Sequence, residues 1–257
     1  RNSRLSHHDQ SNDRGSDEDL RPFIGRHDLA GGLKQPATNV SEERQIKIGP
    51  DFDAEKLAAA ADKTLRSRDL DLRPFKLDDI DSAYERWMND EEVVRFTRIP
   101  AYDTSYDGLV AYAERVLNTP GTYFWSVTHR EDRRAIGTAK LVVSLEHGIA
   151  NWGYLIGERD YWRDSISLQA QVPVFDYAFD DLGVRKMYGG TDSDHVKSRF
   201  NLARMKFRKE GVFREHFRGG ADGAKLVDLV YYGLLISEWQ EVSGQFDYLR
   251  YRHDEHA

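Results

Sequence analysis

The chain of 257 residues contains no cysteine, which excludes disulfides, thiolate metal sites and a cysteine nucleophile. No apolar run approaches the ~20 residues needed to cross a bilayer. Nor does a charged stretch followed by an apolar one open the chain, so no signal peptide is read, and a cytoplasmic protein that engages no membrane is expected. Basic charge is also in short supply. With 37 Lys and Arg against 44 Asp and Glu, a net charge of −7 and no compensating basic run, the electrostatic footprint of a nucleic-acid binder is missing. There is no internal repeat, no Ser/His/Asp ordering and no zinc-like ligand spacing. His7, His8 and Asp9 stand in a polar stretch and read as solvated side chains, so no metal is expected. Because the first residue is Arg1 rather than methionine, an upstream segment is left open.

What is present is unevenly distributed. Residues 1–50 are rich in Asn, Ser, Asp, Arg, His and Gly and read as a polar arm, extended or disordered, with isolated apolar anchors between Leu20 and Leu33. Within 51–68, the run AEKLAAAADKTL places Leu57, Ala61 and Leu65 on one face of a lead-in helix. Residues 69–240 carry the regular patterning of a folded domain. Beyond them, 241–257 form a charged tail with Phe246, Tyr248, Leu249 and Tyr251. Arm and tail together suggest a homodimer or a protein partner.

Inside the domain, a first strand is predicted over 69–75, a helix over 78–88 and a second helix over 105–117, stopped by Pro120 and Gly121. Three strands, 122–129, 135–143 and 150–156, then form an antiparallel meander. A helix from near Ser165 to about Asp181, mildly kinked at Pro173, leads to a strand over 184–190, so that strand, helix and strand make a crossover with a parallel pair. A helix over 194–205 and a final hairpin of 212–217 with 226–236 complete the chain. The junction between Asn151 and Ala170 organises the rest: a strand ends where a helix begins, and the helix N-terminus offers unpaired N–H groups to an anion.

The element order around this junction, with the words WGYLIGERDYW, VFDYAFDDLGVRKMY and FRKEGVFREHF, resembles the GNAT superfamily of acyl-CoA-dependent N-acyltransferases over roughly Leu70 to Trp239. It is most similar to the RimJ/RimL-like branch. The resemblance implies an α/β (α+β) GNAT fold: a mixed, mostly antiparallel sheet with a central splayed parallel pair and helices on both faces. It implies acetyl-CoA or another acyl-CoA as cosubstrate, with pantetheine bonded to the main chain of Tyr154, Leu155 and Ile156. The family's pyrophosphate loop, Gln/Arg-x-x-Gly-x-Gly/Ala, aligns here with Trp162 to Ser167. Both glycine positions are serine, Ser165 and Ser167, and a usually basic position is Asp164, while Arg163 and the hydroxyls remain to meet phosphate. If a positive φ is required at either serine, it costs about 1–2 kcal/mol. Alternatively Asp164 or Ser165 caps the helix.

In the last helix the resemblance places His195 and Ser198 at cofactor-contacting positions, Leu202 where a tyrosine often faces the CoA sulfur, and Lys206 at a turn glycine. His195 can equally be a helix cap. Asn89, Asp90, Arg95 and Phe96 fall on the acceptor side, with helix termination as the other reading of Asn89 and Asp90. An amine nucleophile must lose a proton, and the candidate bases are Glu158, Glu215 and His216. Two functions follow. One is acyl transfer to a primary amine of a small molecule, an amino sugar or a protein N-terminus. The other is a degenerate GNAT-fold binding or scaffold protein that docks a partner through arm and tail.

Overall fold

Strand β3 (Thr122–His129) shows how the domain acquires two cores. Successive side chains leave a strand on opposite faces, so Phe124 enters one apolar cluster and Trp125 the other. The structure, a computed structural model, describes residues 62–97, 102–162, 165–219 and 225–252. Around β3 lie β1 (Leu65–Arg66), β2 (Leu70–Pro74), β4 (Arg134–Ser144), β5 (Ile149–Ile156), β6 (Lys186–Asp192), β7 (Arg208–Gly219) and β8 (Lys225–Leu235). They form one sheet in the order β1-β2-β3-β4-β5-β6-β8-β7. The meander and the crossover stand as the patterning predicts, and β5 with β6 is the parallel pair.

One face is covered by α1 (Ser82–Met88), α2 (Glu91–Val94) and α3 (Tyr106–Leu117), which pack Tyr84, Trp87, Val93, Leu109 and Ala113 with Phe75 and Phe124. The other carries α4 (Ile166–Asp176), which has nine of its eleven residues buried. A helix apolar all round belongs in an interior. Pro173 lies inside α4, which widens into a π turn at Tyr177–Asp181. Helices α5 (Val196–Arg204) and α6 (Ile236–Val242) add Leu202 and Trp239 to the same core. This is the GNAT-type α+β architecture expected.

Three boundaries differ from expectation. The helix predicted over 78–88 is divided into a 3-10 turn, Leu77–Asp79, and α1, because the Asp81 carboxylate accepts the Ala83 and Tyr84 N–H groups at 2.9 Å and restarts the helix. Leu65, expected to end a helix, instead pairs with Leu72 in β1, since the neighbouring edge of β2 offers a ladder; residues 51–61 of the expected helix lie outside the described residues, as does the arm.

The tail is corrected most. Residues Ser243–Leu249 form a 3-10 helix that buries Phe246 and Leu249 in the protein's own core, Phe246 stacking on Trp239 at 5.7 Å. Arg250 then clamps Asp176 with two bonds of 2.9 Å. Those two apolar side chains are satisfied within the chain and are not displayed to a partner, so the domain runs past residue 240.

Candidate active site

The site begins where the parallel pair stops pairing. Only Ile149, Ala150 and Asn151 of β5 face Lys186, Met187 and Tyr188 of β6. At the split, the Asn151 side-chain amide donates to the Tyr188 carbonyl at 2.9 Å, so a side chain takes over where the ladder ends. Trp152 lies against Gly189 so closely that a Cβ there would stand 3.1 Å from the indole. Past this wedge, Trp152–Ile156 and Gly189–Thr191 wall a groove of about 850 Å³. The other edge of β5 stays bonded to β4 along its whole length.

Polar side chains from three elements meet beneath the groove. The Trp152 indole donates to Gln171 at 3.2 Å, the Gln171 amide to the Ser167 carbonyl at 2.8 Å, and the Asn201 amide to the Ser167 hydroxyl at 2.9 Å. The Tyr154 phenol belongs to the same web. Burial pushes its pKa up, and its hydrogen-bonding neighbours Asn201, Ser167 and Gln171 offset this only in part, so it stays protonated at neutral pH.

Across the opening, the ring of Phe96 stacks on His195 at 4.1 Å and 10°, and the Arg95 guanidinium sits 5.2 Å from the Phe96 centroid. Burial, reinforced by Lys197, lowers the His195 pKa to about 4, which leaves the imidazole neutral at physiological pH. Lys197 and Arg159 flank Trp162 at 5.7 and 5.9 Å, and Arg204 stands 5.9 Å from Phe200.

The groove gathers Tyr154, Leu155, Ile156, Ser167, His195, Ser198, Arg95 and Phe96 from the sequence-predicted set. Ser165 is not among its walls. It borders a separate polar cavity of about 380 Å³ with Arg68, Asp69, His129 and Gln169. Arg163 and Asp164 lie outside the described residues. The loop demands no positive φ at the two serines, so the conditional strain does not arise: Ser165 has φ −95°, and among the described residues the non-glycine residues with positive φ are Arg133, Lys206 and Glu215. Lys206, at φ 64°, does occupy a glycine-type position where α5 ends.

The remaining candidates are placed elsewhere, each for a physical reason. Asn89 closes α1, its amide donating to the Glu85 and Thr104 carbonyls at 2.8 and 3.2 Å. Asp90 caps α2 through the N–H groups of Glu92 and Val93 and pairs with Arg159, whose guanidinium holds its carboxyl below the usual range. Glu158, one of the three candidate bases, is buried and bound by Arg86, Arg134 and the Trp87 indole, the last at 2.9 Å. It fastens α1 to the end of β5. Glu215 and His216 are exposed on a bulged stretch of β7, with the Glu215 N–H on Asp228 at 2.8 Å, and neither reaches the groove.

Sequence reasoning passed over Asn151, Gln171, Glu92, Lys197 and Asn201, all of which shape the groove or its mouth. A signal was there. Gln171 is polar within the apolar run of α4, one turn after Ser167, and Lys197 and Asn201 share a face of α5.

A family profile described as an acetyltransferase (GNAT) domain matches residues 69–208. The chain belongs to the GNAT family. The uncharacterized N-acetyltransferase p20 of Bacillus licheniformis is 28% identical over 181 residues, spanning 69% of this chain and 98% of that relative. Two solved structures share the GNAT fold. The spermidine N-acetyltransferase of Vibrio cholerae, in complex with CoA and spermine, aligns with a TM-score of 0.60 at 18% identity, over 67% of this chain and 98% of that one. A GCN5-related N-acetyltransferase from Brucella melitensis aligns at 0.59 and 20% identity, over 72% and 84%. At these identities the structural likeness speaks for fold alone.

Proposed function

We propose that this GNAT protein is an acyl-CoA-dependent N-acyltransferase, most simply an acetyltransferase, acting on a primary amine of a small molecule, an amino sugar or a protein N-terminus. The observation that carries this reading is the divergence of β5 from β6. A strand edge left open beside a groove suits an extended chain bearing amides, which can bond to it as an added strand. Pantetheine is such a chain. Lys197 and Arg204, lining the groove on α5, suit the phosphates.

The chemistry asks little of the protein beyond positioning. The amine nitrogen attacks the thioester carbonyl, the C–N bond forms, the C–S bond breaks, and the sulfur leaves as a thiolate that needs a proton. Tyr154 lines the groove and its phenol, held by Asn201, Ser167 and Gln171, stays protonated, a proton source where Leu202 leaves no phenol on α5. The nitrogen releases its proton to water or to a groove group.

The words around the junction support a RimJ/RimL-like placement, and the acyl-CoA requirement supports a cytoplasmic setting. Among the described residues, no helix is long and apolar enough to cross a membrane. The scaffold reading drew on the triple change at Asp164, Ser165 and Ser167 and on the arm and tail; the ordinary φ of Ser165 weighs against one part of it, a strained loop. Titration of acetyl-CoA and CoA into the protein tests the proposal. Saturable binding with Kd below about 50 μM is expected. No binding at about 1 mM would overturn it.

A further inference from the structure

Several arginines outside the groove wall are already matched. Arg86 and Arg134 share Glu158, Arg159 holds Asp90, and Arg73 holds Asp79. Arg95 lines the groove, is exposed, and has no carboxylate partner among the described residues; Arg204, the other arginine of the wall, donates to the Tyr248 hydroxyl at 3.2 Å. The contact of Arg95 is the Phe96 ring, 5.2 Å away, and that ring is itself stacked on His195. A cation held against a ring keeps its N–H donors free for a bidentate anion.

Position separates this cation from the others in the groove. Arg95 follows α2, whose Val93 and Val94 belong to the α1–α3 core on one face of the sheet. Lys197 and Arg204 sit on α5, whose Leu202 belongs to the core on the opposite face. If the cosubstrate's phosphates are held by Lys197 and Arg204, Arg95, carried by the other layer, is left for the acceptor. Glu92, one turn earlier, also lines the groove and offers a carboxylate to an amine N–H.

We infer that the acceptor is an amine that also carries a carboxylate or a phosphate, and that Arg95 selects it by pairing with that anion. This rests on the acyltransferase reading. It sets the expected substrate apart from polyamines, which present only cations.

The test is calorimetric titration of the CoA-saturated protein with matched amines: ethanolamine against phosphoethanolamine, propylamine against β-alanine, and spermidine. At least one anion-bearing member is expected to bind about tenfold or more tightly than its parent without the anion. Arg95→Gln should abolish that preference while changing the affinity for the parent amine and for CoA less than about twofold. Arg95→Lys should keep part of it, since the charge remains without the fork. Equal binding of amines with and without the anion, or tightest binding of spermidine, would overturn the inference and leave the acyltransferase reading standing. Loss of CoA affinity in Arg95→Gln would also overturn it, by assigning Arg95 to the cosubstrate. Failure of CoA itself to bind would remove both.

Discussion

Two groups of charged side chains flank β5, both containing cations, and they are opposite in condition. At the strand's end, Glu158 is enclosed by Arg86, Arg134 and Trp87, and Asp90 is joined to Arg159. Along the groove, Arg95 and Lys197 meet ring faces instead of carboxylates. A matched buried charge fixes geometry, and removing its partner is costly. A charge held against an aromatic face keeps its donors available. Availability, rather than residue type, separates the fastening from the binding surface.

The contrast can be broken at either group, and the largest effect is expected at the first. Glu158→Ala deprives two half-exposed guanidiniums and a buried indole of their common acceptor and should cost about 2 kcal/mol, read from the denaturation midpoint. CoA affinity of the folded protein should change less than about threefold. Unaltered stability with lost turnover would place Glu158 among the reacting groups after all. Gly153→Val is the reciprocal change. A Cβ at Gly153 meets nothing within 4 Å, so the fold should tolerate it. Because Gly153 lines the groove, kcat/KM for acetyl transfer should fall at least about tenfold, or about 1.4 kcal/mol.

His195 sharpens the contrast through pH. Its pKa is lowered from 6.5 to about 4, so between those values the unfolded chain binds the proton and the folded chain does not. Stability should therefore be level above pH 6.5 and fall as pH drops toward 4. After allowance for partial exposure, the loss at about pH 5 is about 1 kcal/mol. Denaturation curves of His195→Gln should lack this slope. Smaller still, Lys206→Gly relieves a left-handed lysine and should add about 0.5 kcal/mol. Ser165→Gly should leave CoA affinity within about twofold, because its φ is already ordinary for any residue.

Much of the scaffold was legible because its signals are local. The meander announces itself in the run Thr122–His129 and the turns that follow, and the crossover in the apolar helix between two strands. Groove residues on β5 and α5 were named through the family resemblance, which that topology accompanies. What failed depended on distant partners. Glu158 meets Arg86 and Arg134 from 72 and 24 residues away, a pairing that no spacing rule contains. Phe246 and Leu249 were readable as side chains needing cover, but whether the cover is a partner or Trp239 of the same chain is decided by packing. The run 54–65, made of helix formers, gave no hint that Leu65 would pair with Leu72, where an open strand edge overrides propensity.

Hydrogen exchange measured with and without saturating CoA tests the open edge of β5 most directly. Slowed exchange at amides within Gly153–Ile156, with Glu215 and His216 unchanged, is expected if the cosubstrate bonds to that edge. Protection confined to other segments, with 153–156 exchanging as before, would contradict it.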